Sequence, residues 1–176
     1  FLKRILGQEN LLIPRPRKSH TLARHQPCTS KHQINYSQAM IDPKIIVAID
    51  TYDYEDAIAL LDQLNPELCK VKIGSVLFNA LGKDFLRLVD QRGFKIFLDL
   101  KLHDIPNTVH ETILGFAGCN IELLTIHLSG GKNMITAAMA AAQIIKTKII
   151  GVSVLTSLND EDSSVLFQST TRDQVA

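Results

Sequence analysis

FLDLKLHDIPNTV (Phe97–Val109) places three charges, Asp99, Lys101 and Asp104, where an apolar run is ending, and Pro106 and Asn107 then open a helix. Residues two apart share a face of an extended strand. Phe97, Asp99 and Lys101 therefore lie on one face, and Ile96, Leu98, Leu100 and Leu102 on the other. The all-aliphatic set suits a layer of helices. The charged set then points the opposite way, and Asp104 follows on the next loop.

The flanking sequence repeats this pattern. KIIVAID (44–50), CKVKIG (69–74), FKIFLDL (94–100), IELLTIH (121–127) and KIIGVSVL (148–155) are continuously apolar runs, as parallel strands covered on both faces must be. Between them, helical spacing marks 54–64, 75–91, 107–118 and 132–145, with a break expected near Gly82 and a C-terminal stop at Gly93. Asn159 is placed to cap one more helix. Strand–helix alternation five times over argues an α/β fold.

Two architectures meet that description, a (β/α)8 TIM barrel and an open doubly wound sheet. No G-x-G-x-x-G follows the first strand, which disfavours a dinucleotide-binding sheet. Polar residues recur instead at strand ends: Asp50, Lys72, Asp99 with Lys101, His127 and Thr156. A barrel gathers those ends in one ring, where active sites of this fold lie. A full barrel takes about 250 residues and eight units. The expectation is therefore about the first five βα units, a fragment with two open sheet edges that are a pairing liability.

Net charge is +1, which gives no general reason to expect nucleic acid or membrane as partner. No apolar run reaches the roughly 18 residues of a membrane span. Cys28, Cys69 and Cys119 form no C-x-x-C pair, so neither zinc nor a disulfide framework is suggested, and a cytoplasmic setting is expected. The charge is unevenly spread. Residues 1–39 hold seven Lys or Arg and one acid, Glu9, whereas residues 40–176 carry a net charge of −5. The first segment reads as a disordered basic leader, a transit-type segment or upstream sequence before a start at Met40. The folded domain is expected over 40–176.

Acid and base held together in a partly desolvated site form a preorganised electrostatic device. A carboxylate neighbour keeps a lysine charged against burial. A charged lysine can protonate a carbanion as it forms, and a fixed carboxylate beside it repels a substrate carboxylate. That pairing suits decarboxylation. The plainer alternative is a surface salt-bridge run.

FLDLKLHDIPNTV resembles the signature of the bacterial-type orotidine 5′-phosphate decarboxylases. IIVAID, KVKIG, IHLSGG (126–131) and VSVLTS (152–157) resemble the family's first, second, fourth and fifth strands, in order, from about Lys44 to Leu158. D-x-K-x-x-D by itself is shared with related sugar-phosphate decarboxylases and synthases that use magnesium. The continuation H-D-I-P-N-T is more specific.

The resemblance implies roles. Lys101 would protonate C6 of the uridylate carbanion, and Asp99 would crowd the substrate carboxylate. Lys72 and Asp50 would bind ribose hydroxyls and complete the charged network, with Lys72 counted among the catalytic residues beside Lys101, Asp99 and Asp104. Asp104 and Thr108 would reach into the site of a second subunit, making a homodimer. Ile105 and Thr156 would lie against the substrate. No cofactor or metal is implied. The family's phosphate-gripping arginine and mobile loop come from later strands, so this chain alone is expected to have little or no activity.

Other residues carry structural readings. His103 is expected to make a structural hydrogen bond, and His127 to pack at the barrel mouth. Ser129, Gly130 and Gly131 should form a tight turn. AAMAAA (137–142) should pack closely, and Cys119 should be buried and inert. His20, His25 and His32 read as scatter in a polar tail.

Overall fold

The computed structural model describes residues 42–167. Readings that fall on residues 1–41, including Cys28, His20, His25 and His32, lie outside the described residues.

Among the described residues five strands form one parallel sheet in the order β1-β2-β3-β4-β5: β1 (Ile45–Ile49), β2 (Cys69–Gly74), β3 (Ile96–Leu102), β4 (Ile121–His127) and β5 (Lys148–Val152). Helices α1 (Tyr54–Leu61), α2 (Ser75–Gln91), α3 (Pro106–Leu114) and α4 (Gly131–Ile145) connect them, and α5 (Asp160–Phe167) follows. Sequence order equals spatial order. An unbroken run of neighbouring parallel strands is how a barrel sheet is laid down, and among the described residues no strand reverses the order as in a doubly wound sheet.

Alternate strand residues divide between two faces. Val71 and Ile73, Ile96 and Leu98, and Leu124 and Ile126 are fully buried and join one core with Leu77, Phe85, Leu86, Val109, Ile113 and Met134 from the helices. Burying each such side chain stabilises the fold by about 1.5–3 kcal/mol. Ala138, Ala141 and Ala142 are buried too, so the alanine-rich stretch of α4 packs closely as its composition suggests. The other face carries Lys70, Lys72, Phe97, Asp99 and Thr125. Among the described residues the outer edges of β1 and β5 are unpaired, and Ile45, Ile46 and Ile150 are exposed there.

The element ends differ from the periodic reading in particular ways. α1 stops at Leu61 rather than at 64. The amides of Gln63 and Leu64 bond the carbonyls of Leu60 and Leu61, a tightened turn ahead of Pro66, which disfavours helix at Asn65. α3 stops at Leu114 rather than at 118. The ammonium of Lys83, on α2, reaches the carbonyl oxygens of Gly115 and Ala117 and satisfies acceptors that end the helix. β5 ends at Val152 rather than at 155.

The break in α2 is at Gly82, with φ 67° and ψ −163°. Asn159 caps as expected: its side-chain oxygen accepts from the Asp162 amide at 2.9 Å, and Asp162 accepts in return from the Asn159 amide. Leu128–Gly130 form one 3-10 turn into α4, the tight turn expected of the glycine pair.

β3 departs most. It runs two residues further than the expected 94–100 and contains Lys101. Leu98 is opposite Leu124, but Leu102 is opposite Ile126, so four steps on β3 face two on β4. The irregularity spans Asp99, Leu100 and Lys101. Simple alternation therefore fails at Lys101, which adopts φ 50°.

Candidate active site

Four of the residues named from the sequence meet at the C-terminal end of the sheet. Asp50 follows β1, Lys72 is on β2, and Asp99 and Lys101 are on β3. Together with Tyr52 and Ser75 they line a cavity of about 360 Å³. The parallel register brings them there: Ala48 is opposite Lys72, and Gly74 is opposite Asp99.

The Lys101 ammonium donates to Asp99 Oδ1 at 2.8 Å, and Lys72 donates to Asp50 Oδ1 at 3.4 Å. Asp99 is largely enclosed, with 16% of its side chain exposed, whereas Lys101 keeps 39%. Burial by itself would raise the Asp99 carboxyl. Hydrogen bonds from Lys101 and Thr125 and the charges of Lys101 and Lys72 outweigh it, and the carboxyl is held below its ordinary value. Asp99 is thus a fixed negative charge beside the partly accessible ammonium of Lys101.

Thr125 is a site residue that sequence reasoning missed. It is buried on β4; its hydroxyl donates to Asp99 Oδ1 at 2.9 Å and accepts from the Lys101 amide at 2.8 Å. The available signal was one hydroxyl within the apolar run IELLTIH, on the strand next to the charged one.

The remaining candidates do not line the cavity. Asp104 accepts from the amide of Ile105 at 2.7 Å on the loop after β3. Ile105 is 66% exposed, and Thr108, in the first turn of α3, is exposed as well. Thr156 is exposed in the segment after β5. His127 does not line the cavity either. Its ring lies against that of His103, centroids 5.3 Å apart, and burial, then His103 and Lys101, push it below the usual histidine range.

Cys119 is half-buried rather than buried, its thiol pushed up by burial. It lies with Lys95 and Glu122 at the opposite end of the sheet. Among the described residues no group of three His, Cys, Asp or Glu could hold a metal ion, and no helix is long and apolar enough to cross a membrane.

A second ionic group occupies that opposite end. Lys70, nearly buried, donates to Glu122 at 2.8 Å and pairs with Asp42 at 3.0 Å; Lys95 pairs with Asp42 at 3.0 Å. Hydrogen bonds from Lys95 and Lys70 hold the Asp42 carboxyl well below the ordinary range.

The sequence and the fold are similar to those of known proteins. An orotidine 5′-phosphate decarboxylase from Saccharophagus degradans is 41% identical over 127 residues, 71% of this chain and 53% of that protein. One from Vibrio vulnificus is 40% identical over 126 residues, 70% of this chain and 54% of that protein. The chain thus spans about half the length of the curated relatives it matches. The crystal structure of orotidine 5′-phosphate decarboxylase from Lactobacillus acidophilus superposes with a TM-score of 0.67 at 34% identity, covering 76% of this chain and 64% of that one. That of an uncharacterized conserved protein from Geobacillus kaustophilus gives 0.69 at 28% identity, covering 74% and 65%. The sequence model of one family, described as orotidine 5′-phosphate decarboxylase / HUMPS, matches residues 43–175, and the chain belongs to that family.

Proposed function

We propose that the charged array serves the decarboxylation of orotidine 5′-phosphate to UMP in pyrimidine synthesis. The observation that carries the reading is the Asp99–Lys101 pair: an enclosed, ionised carboxylate 2.8 Å from an ammonium, at a cavity of the size of a small ligand site, in a chain of this family.

In this reading the substrate carboxylate is held toward Asp99, whose fixed charge repels it. The bond from C6 to the carboxyl carbon breaks, carbon dioxide departs, and the electron pair stays on C6. Lys101 delivers a proton to C6 as that charge forms, so negative charge lost at one position is neutralised at the next. Lys72 and Asp50 hold ribose hydroxyls. Ile105 and Thr156 contact the substrate. Asp104 and Thr108, exposed and outside the lining of their own cavity, serve the site of a second copy in a homodimer. The array acts without a metal or cofactor.

The test is turnover of orotidine 5′-phosphate by the protein purified from its own source. Turnover persisting in chelator is expected, with Lys101→Ala lowering it about 10²–10⁴-fold. Mixing Lys101→Ala with Asp104→Ala protein should restore about a quarter of parental activity, because half the dimers are mixed and each carries one intact site. A Lys101→Ala protein with parental turnover would falsify the reading; a mixture as inactive as its parts would remove the shared site. Dependence on magnesium would favour the sugar-phosphate branch instead.

A further inference from the structure

Thr125 takes no part in the roles above, yet both hydrogen-bonding capacities of its hydroxyl are committed within the charged pair. The directions are forced. A backbone amide only donates, so the Lys101 N–H gives its proton to Thr125 Oγ1. An ionised carboxylate only accepts, so the Thr125 O–H points at Asp99 Oδ1. The same oxygen of Asp99 receives the Lys101 ammonium. The backbone and the head group of one lysine are thus joined through two side chains into a closed ring.

The position is a demanding one for a hydroxyl. Thr125 is 3% exposed on β4 between the fully buried Leu124 and Ile126, where valine would fill the same volume with no polar atom to satisfy. The ring also spans the place where β3 and β4 lose register and where Lys101 holds φ 50°. There the ordinary ladder is interrupted, and a side-chain oxygen takes the Lys101 amide.

We propose that Thr125 is a positioning residue for the decarboxylation chemistry: its hydroxyl anchors the left-handed backbone of Lys101 and aims the Asp99 carboxylate, so setting the separation of acid and base. The proposal rests on the functional reading above. Asp99 is faced by Lys101, Lys72 and Thr125, and removing the hydroxyl withdraws one of the donors that keep it ionised.

The experiment compares Thr125→Val and Thr125→Ser with the parent by steady-state turnover of orotidine 5′-phosphate and by carboxyl-carbon NMR titration of Asp99. Val is expected to lower kcat about 10–100-fold, leave KM within about twofold, and raise the Asp99 titration point; Ser, which keeps the hydroxyl, is expected to return both toward the parent. Val that leaves kcat and the titration unchanged overturns the proposal. So does Ser as impaired as Val with the Asp99 titration unmoved, since the requirement is then for shape. If the Val protein does not fold, Thr125→Cys, a weaker donor, replaces it under the same expectations. A parent without turnover on this substrate sinks the functional reading alone; the Asp99 titration in Val and Ser proteins then decides the role of Thr125.

Discussion

Lys101 holds φ 50°, a conformation that costs a side-chain-bearing residue about 1–3 kcal/mol. The compensation is local: its amide bonds Thr125 and its ammonium bonds Asp99. A glycine nearby shows the opposite case, a position set by space rather than by backbone. Gly130 has ordinary helical dihedrals, but a Cβ there would lie 2.1 Å from Met134 Sδ and 3.2 Å from a ring carbon of His103. Met134 is fully buried, so its thioether end would have to repack within the core to make way. Gly130→Ala is therefore expected to destabilise the fold by about 1–3 kcal/mol, read as a lower urea midpoint, and to shift the His103 ring resonances. An unchanged midpoint would show that Met134 repacks freely.

At the scale of elements, α2 is bent where φ 67° and ψ −163° are required, a region open essentially to glycine alone. Open space surrounds the missing Cβ of Gly82, so substitution tests the backbone by itself. Gly82→Ala should cost about 1–3 kcal/mol in chemical denaturation while leaving the cavity residues in place; no loss would mean that the helix straightens without penalty. This break was legible in the sequence, because glycine interrupts a helical stripe for few other reasons. The ends of α1 and α3 were not. Apolar periodicity continues past Leu61 and Leu114, but tightened turns, Pro66 and the Lys83 cap end the helices earlier. A cap supplied by a residue some thirty positions away has no local signature.

Across the whole molecule the sheet carries charge at both ends. At the C-terminal end Asp99 and Lys101 sit beside a cavity; at the other, Asp42, Lys70, Lys95 and Glu122 neutralise one another. The carboxyls of Asp42 and Asp99 are both lowered in the folded chain, so the unfolded chain takes up protons first as pH falls. Their contribution to stability is complete above the unfolded carboxylate value, about 3.9, and is lost as pH falls through the lower folded values. His127 is also lowered, by burial first, and protonation below about 6.5 favours the unfolded chain. Lys70 is raised: burial would lower it, but Glu122 and Asp42 outweigh that, so its share is present below about 10.4 and lost as pH rises through the folded value. The urea midpoint is expected to be highest near neutral pH and to fall on the acid side in two stages. Asp42→Asn should flatten the stage below about pH 4 and leave the one near pH 6. An acid limb identical to the parent would show that Asp42 is no more strongly paired folded than unfolded.

Composition and pattern were enough to determine the class of fold, the order of strands and helices, and the four residues Asp50, Lys72, Asp99 and Lys101 that meet at one end of the sheet. Parallel strands expose their ends together, so the polar residues at the ends of β1, β2 and β3 meet there, whereas His127 and Thr156, also named at strand ends, fall outside the cavity lining. Tertiary structure alone decided how those residues are held. The register slip between β3 and β4 and the left-handed Lys101 follow from pairing two strands, not from either one. Thr125 acquires its place only when β4 lies beside Asp99, because a hydroxyl in an apolar run has no partner until the neighbouring strand provides one.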